Sequence, residues 1–425
     1  MRERPLSQVS RTSANCEALT GPDTIRWRRQ FLLFAGAICF LSATGGIFET
    51  TFNNFLSDVF HISARARGAL EFPRELPGFL VALFSGALFF VSEVRLSALA
   101  AFINCLGLWG LSSVGDRYPA MVVSMVVWST GSHLFMPLQG SIALSLAGGN
   151  RAGTLLGTIG AYSTFAVIAG CGVVWLGREY LHMSYSALFV TAAASAAIAS
   201  LTLTRMQPTG SADKPRAKFV WRRAYSLYYV LCVLFGVRKQ VFITFGPLVL
   251  IKVFGQPAEA IAKLWIVASI LGIAFKPLLG WMIDQLGERF VLMGDALLLI
   301  GVCLGYGLGR KLLPMPYSLF LAYCCFVLDM MLFAMEMARS TYLDKIAVSR
   351  EDVGPSLSMG VSINHAASMS VPSLGGFVWA AFGYQWVFVG ASAVALITLM
   401  ASSLIRVPPG RAAIAEAELV EEKVY

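Results

Sequence analysis

The chain has 425 residues, 57% of them hydrophobic and only 13% charged, with a formal net charge of +9 and a mean hydropathy of +0.68. Soluble domains carry about 25% charged residues, so this composition excludes a water-soluble globular protein. The cations sit mostly at the ends of apolar segments, which is a signature of membrane topology and gives no reason to expect a nucleic-acid partner.

Apolar runs of about 20 residues separated by short polar turns predict an all-α polytopic membrane protein embedded in a lipid bilayer. A β-barrel would alternate over ~10-residue strands, and these runs do not. Residues 1–30 form a polar tail holding Arg26, Arg28 and Arg29. No small-residue cleavage site follows a short apolar core, so the first span is read as uncleaved. Spans are expected at 31–57, 68–92, 96–114, 118–147, 152–176, 182–205, 225–252, 261–282, 290–308, 316–344, 353–381 and 384–405. The only long connection, 206–224, carries Pro208, Gly210 and Pro215. It divides the chain into six-span halves, 31–205 and 225–405, ahead of a C-terminal tail at 406–425. An even count puts both termini on one side. The segments on that side hold 20 basic residues against 8 on the other, so both termini are expected in the cytoplasm, with the protein in the inner membrane. The eight cysteines show no CxxC or pairing pattern, and neither a disulfide nor a metal is expected from them.

The halves repeat. Span one contains Phe48-Glu49-Thr50-Thr51-Phe52, and span seven Phe242-Ile243-Thr244-Phe245, at an offset of 194 residues. Spans five and eleven begin Gly157-Thr158-Ile159-Gly160 and Gly360-Val361-Ser362-Ile363. Parallel repeats of this kind place a substrate site near the midplane, between the halves.

After span eight the chain reads Gly280-Trp281-Met282-Ile283-Asp284-Gln285-Leu286-Gly287-Glu288-Arg289. This resembles the G-x-x-x-D-x-x-G-x-[RK] loop motif of the major facilitator superfamily, and some poorly characterised bacterial members resemble monocarboxylate carriers. The resemblance implies twelve helices in two pseudo-symmetric halves and transport by alternating access. It also makes Gly280, Asp284, Gly287 and Arg289 gating residues: the glycines for close approach and a tight turn, the aspartate to accept from a helix N-terminus, the arginine to latch the inner gate. The first-half copy, from Gly86, is degraded: Phe90 and Glu93 stand where the acid and second glycine belong, and Arg95 keeps the basic place.

Arg238 and Lys239 lie near the middle of an apolar run, Arg238 roughly 20 Å from each end at 1.5 Å rise per residue. A charge at that depth is costly and ordinarily faces a cavity or a partner. The two side chains diverge by about 100°, so one is expected to meet substrate and the other a carboxylate such as Glu49, Asp329 or Glu336. The resemblance names spans one, four, seven and ten as cavity-lining. These supply Glu49 and Asn53, then His133 and Gln139, then Asp329, Glu336, Arg339 and Tyr342; span eleven adds Asn364 and His365. Asp329, Glu336 and Arg339 fall on one helical stripe, where a carboxylate beside a guanidinium can release its proton when an anion competes for the arginine. Glu71, Arg74 and Glu75, beside Pro73 and Pro77, are read as an outer gate or as residues that only pair with one another near the surface. His133 and His365 are either proton carriers or hydrogen-bonded core residues.

The expected function is secondary transport of a small organic anion such as a carboxylate, bound by Arg238 with Lys239 or Arg339 assisting and coupled to protons through Glu336 or Asp329. The alternative is a multidrug or metabolite exporter; a receptor or scaffold is a third class. No phosphate-cradling loop, nucleophile elbow or HExxH helix is present, so no enzyme and no cofactor are expected.

Overall fold

A computed structural model describes residues 22–84, 91–147, 152–207 and 222–407. Gly86 and Phe90 lie outside the described residues, as do most of both expected tails and of the 206–224 connection. Every regular element among the described residues is helical. The helices are α1 (Pro22–Asp58), α2 (Ala64–Ala69), α3 (Glu71–Phe84), α4 (Glu93–Ser113), α5 (Tyr118–Ala147), α6 (Ala152–Glu179), α7 (Tyr185–Thr204), α8 (Ser226–Lys252), α9 (Ala258–Leu312), α10 (Tyr317–Leu332), α11 (Glu336–Ile346), α12 (Arg350–Phe382) and α13 (Tyr384–Ser403). Among the described residues, nine helices are long and apolar enough to cross a membrane. One of them, α9, holds two consecutive spans separated by a turn at Gly287, and α2 with α3 and α12 bring the described spans to twelve.

Three spans depart from their expected outline. Helix α1 begins at Pro22, since proline fits a first helical position and nothing breaks the run to Phe31. Span two is divided at Leu70 because Pro73 has no N–H to bond back to Ala69. Span ten is interrupted by a 3-10 turn, Phe333–Met335. Span eleven is a continuous α12 despite Pro355 and Pro372 inside it.

The repeat is visible in the packing. Helix α1 packs on α6 and α7, and α8 packs equivalently on α12 and α13; α4 packs on α5 and α7, as the second part of α9 packs on α10 and α13. Between the halves, α6 meets α9, and α2 and α3 meet α12. These contacts gather at the face opposite the chain's described ends. There Lys263 Nζ lies 2.5 Å from Glu179, Asn54 donates to the Gln256 carbonyl at 3.0 Å, and Ala258 and Ala262 of α9 are buried in an apolar cluster of the first half. At the other face, the ion pairs Arg222–Asp352 and Lys345–Glu288, both at 2.7 Å, each stay within the second half.

Gly68 sets the closest approach. A Cβ there would sit 2.1 Å from the Pro372 carbonyl oxygen, backbone against backbone. Gly68→Ala should therefore lower the thermal midpoint by the equivalent of about 1–3 kcal/mol. Gly45→Ala, with nothing within 4 Å of its Cβ, should leave the midpoint level or raise it slightly.

Candidate functional site

Helix α8 carries Arg238 into the second half, where it is 4% exposed. Its Nη2 donates to Asp329 Oδ1 at 3.1 Å and its Nη1 to the Leu332 carbonyl at 3.2 Å, a carbonyl beside the 3-10 turn of span ten. Arg238 is thus the member of the pair that meets a carboxylate. Arg339 of α11 is also buried, its guanidinium carbon 3.5 Å from the centre of the Phe235 ring. Phe235 is shared, for Arg238 lies over the same ring at 5.8 Å. No hydrogen bond or ion pair reaches Arg339 from the described residues, and its Nη2 is buried without a partner. Asp295, in the second part of α9, is buried within electrostatic reach of both arginines.

The 3-10 turn disturbs the expected stripe. Asp329 and Arg339 point into the protein, while Glu336 is exposed. Tyr342 packs in an apolar cluster with Leu279 and Leu343 and does not line the cavity described below.

A second buried polar cluster joins the halves. Glu71, fully buried, accepts from Arg67, from Arg74 Nε at 2.7 Å and from Gln240 of α8. Arg67 also donates to Asn53 Oδ1 at 2.8 Å. Arg74 Nη2 lies 3.0 Å from Glu75 Oε1, within ion-pair range though not aligned as a hydrogen bond. Glu75 Oε2 faces two imidazoles, His365 Nδ1 at 3.0 Å and His133 Nε2 at 4.0 Å. The reading of Glu71, Arg74 and Glu75 as a surface set is therefore corrected: α3 packs between α5 and α12, and all three residues are at most 6% exposed. The core reading of His133 and His365 agrees with their hydrogen bonds. Lys239, half-buried, lies within electrostatic reach of Glu75 but has no ion pair among the described residues.

Between the clusters is a cavity of about 30 Å³. Glu49 and Asn53 line it from the first half, Asp329 and Tyr306 from the second. Gln139 is exposed in a separate groove among α1, α4 and α5, and Asn364 accepts from Ser368 at 3.3 Å.

The loop motif is partly as expected. Gly287 adopts φ +80, a conformation glycine tolerates best, and it makes the turn inside α9. Gly280 has nothing within 4 Å of a Cβ, so close approach is not its role here. Asp284, Arg289 and Arg95 are exposed, and the buried acid of the loop is Glu288, paired with Lys345.

Sequence reasoning missed Arg67, Gln240 and Asp295 as site residues. Asp295 carried a readable signal, a lone acid inside an apolar run. Arg67 did not, since its place before span two reads as a loop cation.

No protein-family model matches the chain, and no curated protein matches it. Solved structures match over most of its length. A point mutant of the nucleoside transporter NupG is 16% identical, with 88% of this chain and 99% of that one covered at a TM-score of 0.75. The D-xylose–proton symporter is 16% identical, with coverages of 90% and 98% and a TM-score of 0.64. An auto-inhibited peptide transporter of the POT family is 12% identical, with the same coverages and a TM-score of 0.73. The chain is thus an all-α integral membrane protein of two pseudo-symmetric six-helix halves. Its fold is that of the major facilitator transporters.

Proposed function

We propose that this protein is a secondary active transporter that carries a small organic anion, most simply a carboxylate, by alternating access between its halves. The observation behind the anion is Arg339: a buried guanidinium with no hydrogen-bond acceptor among the described residues, beside a second arginine paired there with Asp329. Arginine's planar fork matches two carboxylate oxygens. In this reading the conformation is closed at the face where Lys263 meets Glu179 and is entered from the other, cytoplasmic, face. Substrate reaches Arg339 and competes with Asp329 for Arg238. The displaced Asp329 takes up a proton, which couples the two movements. A D-xylose–proton symporter of the same fold supports the proton coupling in this scheme.

Asp329→Asn should keep counterflow of labelled anion in proteoliposomes but lose accumulation driven by a pH gradient, because exchange needs no net proton movement. Accumulation that survives in this variant places the coupling group elsewhere.

The second reading is export of cationic or apolar compounds. It is favoured by the cavity lining, where Glu49 and Asp329 sit among Phe242, Trp265, Tyr306 and Phe326. A thermal-shift screen of the purified protein against small carboxylates, phosphates and cationic drugs separates the two, since a ligand that binds the folded state raises its apparent stability. Stabilisation by carboxylates alone supports the anion; stabilisation by cations alone overturns it.

A further inference from the structure

We propose that Glu75, His133 and His365 form a binding site for a divalent transition metal of the zinc class, placed at the junction of the two halves. Two imidazoles and one carboxylate are a donor set that zinc uses with a fourth position left to water. One donor atom from each residue can be chosen so that all three lie within 4.8 Å of one another. The measured separations from Glu75 Oε2, 3.0 Å to His365 and 4.0 Å to His133, bracket the roughly 3.3–3.6 Å expected between donors around a tetrahedral zinc. Sub-ångström shifts suffice.

Three further features support the assignment. His133 Nδ1 lies 2.9 Å from the Ser129 carbonyl, which can only accept, so Nδ1 carries the proton and the Nε2 lone pair is left facing Glu75. That orientation by an outer partner is what metal-bound histidines ordinarily have. Glu75 presents its two oxygens to different groups, Oε1 to Arg74 and Oε2 to the imidazoles. Gly78, one turn along α3, leaves the space in which the rings meet, since a Cβ there would lie 2.5 Å from His133 and 2.7 Å from His365.

The field around the site limits its affinity without abolishing it. Arg74 and Lys239 oppose a cation, and Glu71 offsets Arg74 and Arg67. Imidazole donors select transition metals over magnesium.

The consequence is mechanical. Glu75 and His133 belong to the first half and His365 to the second, so a bound ion ties α3 and α5 to α12 and favours the conformation described here. This inference is independent of what is transported.

The test uses the full-length protein in detergent, with Zn²⁺ as probe and Mg²⁺ for comparison. Zn²⁺ should raise the unfolding temperature and Mg²⁺ should not. His133→Asn and His365→Asn should each weaken the apparent affinity for Zn²⁺ more than about 10-fold. The chain has only two other histidines, His61 and His182, both exposed, and their double replacement by Asn should leave the Zn²⁺ response intact. A response that survives both single variants, or that is absent from the wild type, overturns the site. If either variant fails to fold, Co²⁺ bound to the wild type decides: intense visible absorption of tetrahedral ligation supports the site, and the weak spectrum of octahedral Co²⁺ overturns it.

Discussion

Arg339→Gln should reduce counterflow of a labelled carboxylate about 100-fold or more while leaving the protein folded. The guanidinium is buried and makes no ion pair among the described residues, so its loss breaks none, and Asp295 keeps Arg238 within electrostatic reach. What it removes is a charged contact to substrate in a desolvated place, where truncating one partner costs about 2–5 kcal/mol, and 2.7 kcal/mol is already about 100-fold. Arg238→Ala is a poorer test of the same idea. It leaves the Asp329 carboxylate buried without its partner, so lost transport and lost folding would be confounded. Unchanged counterflow in the Arg339 variant removes that residue from the substrate site.

Glu71→Ala should be the most destabilising single change in the polar network. Glu71 is fully buried and accepts from Arg67, Arg74 and Gln240. Removing it leaves two buried guanidinium groups sharing the remaining acceptors, and breaking a buried pair of this kind costs about 3–5 kcal/mol. Thermal unfolding in detergent should show a midpoint several degrees lower. Glu71→Gln, which keeps an acceptor oxygen, should fall between the alanine variant and the wild type. A Glu71→Ala protein as stable as the wild type would show that the two arginines find other acceptors. The network also spans the junction, through Gln240 of α8 and His365 of α12, so the loss should fall on closure of that face as well as on folding.

The fold is legible in the chain because membrane spans announce themselves through length and hydropathy, and duplication through the 194-residue offset. That one of the two mid-span cations meets a carboxylate is legible too, since a mid-span charge requires a partner and Asp329 is among the few available; which one is not, for the expectation gave Arg238 to substrate and the structure pairs it with Asp329. The second cluster is not. Arg67 sits before a span, Glu71 to Glu75 surround two prolines, and both features read as an outer loop. Their burial comes from the packing of α2 and α3 on α12 and of α3 on α5, contacts between elements far apart in the chain. The donor set of Glu75, His133 and His365 is invisible for a different reason. Its members are 58 and 232 residues apart along the chain, and no spacing rule spans two halves of a bundle. The expected stripe of Asp329, Glu336 and Arg339 failed at Glu336 because helical periodicity does not continue through the 3-10 turn at Phe333–Met335.

The central claim is that the space between the halves takes a small organic anion. Counterflow in proteoliposomes containing the wild-type protein tests it most directly, with labelled small carboxylates in one set and a labelled cationic drug in another. Transient accumulation of a carboxylate against the unlabelled compound inside, with none for the cation, is the result expected here. Counterflow of the cation and none of the carboxylates would contradict it.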